Sequence, residues 1–262
     1  MTAVIIATAA VAAIGLIAGI ILSVASVVMA VPVDEKEKKI RECLPGANCG
    51  ACGYSGCDGY ASALAKGNAE AGLCTPGGSS CAKQISEILG VEAVEVEKKT
   101  AFVHCLGNCD NTEKKINYQG AQSCAAAMQI FSGGGKCSYG CIGFGDCVSA
   151  CGFEAIKICN GIAAVNTSLC TGCGKCIKTC PKGIIDFVGS KKAAVHCSSH
   201  DKGAAVIKSC KAGCIGCMMC VKACENGAVT VENSLAKIDG LKCTGCGKCA
   251  EVCKKNCISL IS

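Results

Sequence analysis

The chain has 262 residues, of which 29 are cysteine and 33 glycine, with 3% aromatics and no tryptophan. Hydrophobic residues at 51% and charged residues at 18% exclude a disordered chain. So few large side chains at this length imply that something other than side chains fills the domain centres. Disulfides are a poor account of the cysteines. An odd number cannot pair completely, dense bridges belong to small secreted domains, and recurring CxxCxxC triplets would strain adjacent bridges. Thiolates bound to metal in a reducing compartment fit better.

Met1 to Val33 carries no charged side chain, and Val4 to Val31 is an apolar run of 28 residues. A membrane helix needs roughly 20 such residues. A cleaved signal peptide is the alternative, but no Lys or Arg precedes the run, and it is too long for a signal's apolar region. Lys36, Lys38, Lys39 and Arg41 follow at once, which places the N-terminus outside and the body in the cytoplasm. Gly15 and Gly19 have the spacing that lets a second helix approach. A charged linker, Asp34 to Arg41, leads into a small cysteine module from Cys43 to Cys81. Helical runs are expected there over Asp58–Glu70 and Ser80–Leu89. Val91–Val96 and Ala101–His104 read as strands.

From Gln122 the chain repeats. A shift of 73 residues lays Cys124, Cys137, Cys141, Cys147, Cys151, Cys170, Cys173, Cys176 and Cys180 onto Cys197, Cys210, Cys214, Cys220, Cys224, Cys243, Cys246, Cys249 and Cys253. Each copy ends in C-x2-C-x2-C-x3-C, and the second also opens with it at Cys214, Cys217, Cys220 and Cys224. This is the bacterial ferredoxin run, in which three cysteines hold one 4Fe–4S cluster and the fourth crosses to the other. Between the runs, Ala155–Ile158 and Ile162–Val165 flank Asn160-Gly161, a strong hairpin signal; Ala228–Val231 and Leu235–Ile238 echo it.

The ligand sets follow in parallel. In the first copy Cys137, Cys141, Cys147 and Cys180 are expected to hold one cluster, and Cys151, Cys170, Cys173 and Cys176 the next. In the second, Cys214, Cys217, Cys220 and Cys253 hold one and Cys224, Cys243, Cys246 and Cys249 the other, with Cys210 an alternative to Cys214 or Cys217. Phe144 stands where the second copy has Cys217, and only Pro181 supplies the usual proline after a fourth cysteine. Zinc is the competing metal. Its sites take two CxxC pairs, often with histidine, whereas only His104, His196 and His200 exist, none at a zinc-finger spacing.

The N-terminal module has its own motif: Cys49, Cys52, Cys57 and Cys74 in C-x2-C-x4-C-x16-C spacing, glycine-rich, within Leu44-Pro-Gly-Ala-Asn-Cys to Cys74-Thr-Pro-Gly-Gly. It resembles the four-cysteine domain of the B subunits of Rnf complexes, where those residues hold a 4Fe–4S cluster. The order of parts resembles that family as well. The expectation is an α+β protein with an N-terminal transmembrane helix (1–33) and a small four-cysteine 4Fe–4S module (34–90). A connecting segment (91–135) then leads to two tandem bacterial-ferredoxin-like modules with two 4Fe–4S clusters each (136–190 and 191–262).

The resemblance implies an electron-transfer subunit of an ion-translocating ferredoxin:NAD+ oxidoreductase, anchored by a single pass in the cytoplasmic membrane with its body on the cytoplasmic side. Its partners would be soluble ferredoxin and the other subunits of the complex. A polyferredoxin serving another reductase and a zinc-stapled scaffold are the alternatives. No complete active site is visible, because no dinucleotide fingerprint opens a helix after a strand and no charge lies inside the anchor. Five clusters are expected. Nine cysteines remain (Cys43, Cys81, Cys105, Cys109, Cys124, Cys159, Cys197, Cys210 and Cys257), small buried hydrophobes by default, with Cys105, Cys109 and Cys124 candidates for part of a sixth cluster. Five oxidised cubes with their thiolates would turn the formal +6 into about −4, so the basic balance is no argument for nucleic acid. Lys175, Lys182, Lys191, Lys192, Lys248, Lys254 and Lys255 are candidates for patches that meet an acidic ferredoxin.

Overall fold

The computed structural model describes residues 2–28, 34–92 and 99–261. Helix α1 (Thr2–Val28) runs 27 residues without a charged side chain, about 40 Å at helical rise. Among its described side chains, Ile14, Leu16, Ile20 and Leu22 are exposed. Side chains are described without a break only over 12–26, and no described stretch is long and apolar enough to cross a membrane.

The expected linker is instead a helix, α2 (Glu35–Cys43). Asp34 caps it by accepting from the Lys36 amide, Glu35 and Glu37 sit in its first turn, and Arg41 in its last. Charge hid the element, because only Ile40 is buried in it. Together with α3 (Cys57–Ala65) and α4 (Gly78–Leu89) it encloses a core of Ile40, Leu44, Tyr60, Leu64 and Ile85. Helix α3 stops well short of the expected Glu70, where Lys66 caps it and Gly67 turns left-handed. Of the expected strand Val91–Val96, the first two residues form no regular element and the rest lie outside the described residues.

Strand β1 (Lys99–Val103) pairs antiparallel, not with a neighbour, but with β4 (Ile185–Gly189), Val103 opposite Ile185. The hairpin β2 (Ile156–Cys159) and β3 (Ile162–Val165) turns at Asn160 and Gly161, both at positive φ. Copy two repeats this: β5 (Ala193–Val195) with β8 (Ile258–Leu260), and β6 (Val229–Glu232) with β7 (Leu235–Ile238). Short helices carry the cysteine loops: α5 (Cys124–Met128), α6 (Asp146–Ser149), α7 (Lys175–Thr179), α8 (Gly203–Ser209), α9 (Met219–Ala223) and α10 (Lys248–Glu251). The two cores match in 73-residue register from Cys147/Cys220 to Ile185/Ile258, and both are half cysteine and small aliphatic.

The opening strands, however, keep a different offset. Val103-His104-Cys105 and Val195-His196-Cys197 follow β1 and β5 respectively, 92 residues apart. Copy one therefore carries 19 extra residues between Cys105 and Cys137, and Cys105, not Cys124, is the counterpart of Cys197. The two first strands pack through Phe102, Ala194 and Ile261. His104 Nδ1 lies 2.6 Å from the Val195 carbonyl, and His196 is bound in turn by the Val103 backbone.

Candidate metal centres

All 29 cysteines are free thiols. In the N-terminal module Cys57 and Cys74 are buried, and Cys49 and Cys52 half-buried, on one glycine-rich loop and the turn that faces it. The Asn48 side chain accepts from the Cys57 amide at 2.8 Å. The Tyr60 hydroxyl donates to the Glu70 carbonyl and accepts from the Leu73 amide, fixing the turn that delivers Cys74. Cys81 donates its S–H to Cys74, which draws the Cys74 thiol down to about 7 against the opposing effect of burial. Cys81 itself is pushed up by that bond and by burial.

Copy one departs from expectation at its first site. A cavity of about 380 Å3 is lined by Cys124, Cys141, Cys147 and Cys180, and Cys137 is not on it. The reason is local. The Asp146 carboxylate accepts from Ser123 Oγ (2.9 Å), the Cys124 amide (2.9 Å) and the Ala125 amide (3.0 Å), which seats the start of α5 beside α6. Burial opposes the Asp146 charge, yet these bonds outweigh it and hold the carboxyl below its usual range. Phe144 leaves the ligand position and packs on Tyr118 of the inserted segment, ring centroids 5.6 Å apart.

At the other three expected ferredoxin-type sites the cysteines stand near one another. Cys176 is pushed up to about 11 by burial and by neighbouring Cys170, Cys173 and Cys151. Cys220 reaches about 11 by burial and by Cys214, Cys217 and Cys253, around a cavity of about 400 Å3. Cys224, Cys243, Cys246 and Cys249 line one of about 310 Å3. Cys257, 1% exposed, lies 3.6 Å from the Cys253 sulfur and also bonds Cys214, drawing it to about 6.

Cys137 instead lines a fourth cavity, of about 490 Å3, between the two copies, with Cys105, Cys197 and Cys210 and with Cys141, which also lines the copy-one cavity. Cys210 lines this cavity and not the one that Cys214 and Cys217 share. Of the cysteines grouped as candidates for a sixth cluster, only Cys105 is there. Cys124 lines the copy-one cavity, and Cys109 is exposed over the Asn160–Gly161 turn.

Four thiols gathered in such cavities do not ionise unaided, since burial and each other's charge push them up; Cys147 reaches about 12 in this way. Backbone N–H groups nevertheless point at the sulfurs in both copies: Ala163 and Gly143 at Cys141, Ala236 and Gly216 at Cys214. Donors aimed at sulfur suit thiolates that ligate a polynuclear iron–sulfur core. Among the described residues no three His, Cys, Asp or Glu converge tightly enough for a single metal ion, which would hold thiolates about 3.8 Å apart at zinc bond lengths.

The lysines serve the loops. Lys182 donates to the Ser138 carbonyl, Lys192 to that of Cys243 and Lys255 to that of Lys211, while Lys248 pairs with Glu225. Solvent reaches the second copy most directly, where Cys217 and Cys246 are exposed and Leu241 is 97% exposed.

Family models match in three places: an Fe-S cluster domain over residues 44–76, a 4Fe-4S binding domain over 162–185 and a 4Fe-4S dicluster domain over 213–257. The chain is 45% identical over 94% of its length to the B subunit of the Na(+)-translocating ferredoxin:NAD(+) oxidoreductase complex of Acetobacterium woodii, covering 74% of that protein. It is 41% identical to the B subunit of the ion-translocating oxidoreductase complex of Methanosarcina acetivorans, over 90% of each chain. With the proton-translocating counterpart of Clostridium ljungdahlii it shares 39% identity over 88% of this chain and 82% of that one. With its iron–sulfur domains in this order and likeness across nearly its whole length, the chain belongs to the B-subunit family of the Rnf-type ion-translocating oxidoreductase complexes.

Proposed function

We propose that this chain is the iron–sulfur electron-transfer subunit of an ion-translocating ferredoxin:NAD+ oxidoreductase, taking electrons from reduced ferredoxin and passing them to membrane partners. Five 4Fe–4S clusters are held by Cys49/Cys52/Cys57/Cys74, Cys124/Cys141/Cys147/Cys180, Cys151/Cys170/Cys173/Cys176, Cys214/Cys217/Cys220/Cys253 and Cys224/Cys243/Cys246/Cys249. Each cube, when bound, takes up and releases one electron. The protein's own residues supply the thiolates, aim backbone N–H groups at them and exclude water with small aliphatic side chains. The first ferredoxin module begins at β1, because that strand closes its sheet. Helix α1 anchors the chain in the bilayer, its length and lack of charge being the support, and the basic residues that follow keep the body cytoplasmic.

One observation carries the reading: the four-cysteine module touches the first ferredoxin module beside a cysteine of each. Thr75, next to Cys74, donates to the carbonyl of Gly172, next to Cys173, at 3.1 Å. That junction couples the anchored module to the first ferredoxin module, while Cys217 and Cys246 of the second module are exposed. Ferredoxin therefore delivers at the second module, and the Cys49–Cys74 site is the exit. In the assembled complex, Cys52→Ala should still let reduced ferredoxin bleach the remaining clusters while NAD+ reduction stops. Continued NAD+ reduction would remove that site from the path, and loss of bleaching would make it the entry.

A further inference from the structure

The cavity between the two ferredoxin modules is covered by none of the matched family models, yet it is built like the sites they cover. Besides Cys141, which also lines the copy-one site, each module contributes two cysteines to it. Cys105 and Cys197 follow the equivalent first strands, and Cys137 and Cys210 stand four residues before Cys141 and Cys214. The four are thus two matched pairs across the interface.

Their sulfurs are provided for. Cys105 Sγ accepts from the amides of Gly107 and Cys141, each at 3.3 Å. Cys197 Sγ accepts from Ser199 at 3.5 Å and also from the Cys214 amide, and Cys210 from the amides of Ala212 and Gly213. Three of these amides lie within 3.5 Å of the Cys105 and Cys197 sulfurs, more than inert buried thiols need. The walls are held by bonds across the interface: Ser198 Oγ to the His104 carbonyl at 2.9 Å, Thr112 Oγ1 to the Ser209 carbonyl at 2.7 Å, and the Lys211 amide to the Asn111 carbonyl at 2.8 Å. At about 490 Å3 the space is no smaller than those of the neighbouring sites, at 380 and 400 Å3.

We infer that Cys105, Cys137, Cys197 and Cys210 hold a sixth 4Fe–4S cluster, shared by the two ferredoxin modules. It lies between the Cys141 and Cys214 sites, whose own amides donate to its Cys105 and Cys197 ligands. The role as a link between modules rests on the electron-transfer reading; the site itself does not.

The test is iron and zinc content of the anaerobically purified full chain, with parallel counts for Cys105→Ala, Cys210→Ala and the control Cys109→Ala. Wild type should carry about 24 iron. Cys105→Ala and Cys210→Ala should each lose one sixth of the iron and keep the rest, and Cys109→Ala should lose none. A wild-type count near 20, unchanged by Cys105→Ala, overturns the sixth site and leaves the five-cluster reading standing. Five-cluster iron with one zinc that disappears in Cys105→Ala overturns the cubane. Iron far below 20 overturns both readings. Because the wild-type count decides alone, a variant that fails to accumulate does not rescue the proposal.

Discussion

Asp146→Asn should loosen one cluster and spare the rest. The Asp146 carboxylate receives three hydrogen bonds from Ser123, Cys124 and Ala125, and these are what bring Cys124 to a site its distance in sequence does not suggest. A hydrogen bond to a charged group contributes roughly 1.5–3 kcal/mol, and a lost helix cap costs about 0.5–2 kcal/mol. Asp146 is only half-buried, so solvent screens its charge. Asparagine also keeps one acceptor oxygen, though its amide must turn toward an N–H donor. A net cost of about 2 kcal/mol follows, a factor of roughly 30 in the local opening of α5. The assay is iron release to a chelator under anaerobic conditions, followed by visible absorbance. One cluster's worth of iron should leave roughly 30-fold faster while the remainder keeps wild-type kinetics, and Ser123→Ala should give a smaller effect in the same phase. Uniform release, or no fast phase, would mean that Cys124 is not held as a ligand by this clamp.

Cys257→Ala removes the S–H donor to Cys214 without removing a ligand. The potential of that site should fall by about 20–60 mV, one weak hydrogen bond expressed for a one-electron couple, as read by redox titration under EPR; an unchanged potential refutes the tuning role. Gly172 has φ +70 and a Cβ there would stand 2.6 Å from the Lys99 carbonyl, whereas Gly183, at φ +60, has open space. Gly172→Ala should therefore destabilise the holoprotein by roughly 1–3 kcal/mol more than Gly183→Ala, measured by thermal unfolding. Equal melting temperatures would deny the close packing at this junction. Removing residues 1–33 should leave a fully clustered body that stays in solution, checked by iron content after ultracentrifugation; failure of cluster assembly would place part of the fold in the anchor.

The sequence made the repeat legible because cluster loops tolerate no slippage, and so the matched cores and both hairpins followed from spacing alone. What escaped it was contact between segments far apart in the chain. Nothing local in Lys99–Val103 says that it pairs with Ile185–Gly189. The ungapped shift that aligned Cys124 with Cys197 was coincidence, and the better signal was the tripeptide Val-His-Cys at 103–105 and 195–197. Taking that tripeptide as the start of each copy would have exposed the 19-residue insertion and returned Cys105, Cys137, Cys197 and Cys210 as a set. The charged helix Glu35–Cys43 was missed for a different reason: its capping Asp34 and acidic first turn were present, but one buried residue gives no periodic stripe.

The insertion and Phe144 are two halves of one exchange, and that can be tested. On the proposed assignment, Cys217 supplies the ligand directly from the loop in copy two; in copy one the same loop position is Phe144, and Cys124 from the insertion takes its place. The loop backbone has not changed with the residue. Gly143 and Gly216 are both left-handed, at φ +86 and +65, and each approaches the carbonyl of its own hairpin turn, Gly161 or Ser234. On the other side Gly145 and Met218 are left-handed as well, at φ +86 and +61. A cysteine at 144 should therefore point where Cys217 points. Cys124→Ala alone should cost one cluster, about four iron, and Phe144→Cys added to it should restore the count. The loss of the Phe144–Tyr118 contact should appear separately, as destabilisation of the inserted segment to proteolysis. If the double variant remains four iron short while Phe144→Cys alone is fully loaded, the two loops differ in a way their shared backbone does not express, and the equivalence of Cys124 with Cys217 fails.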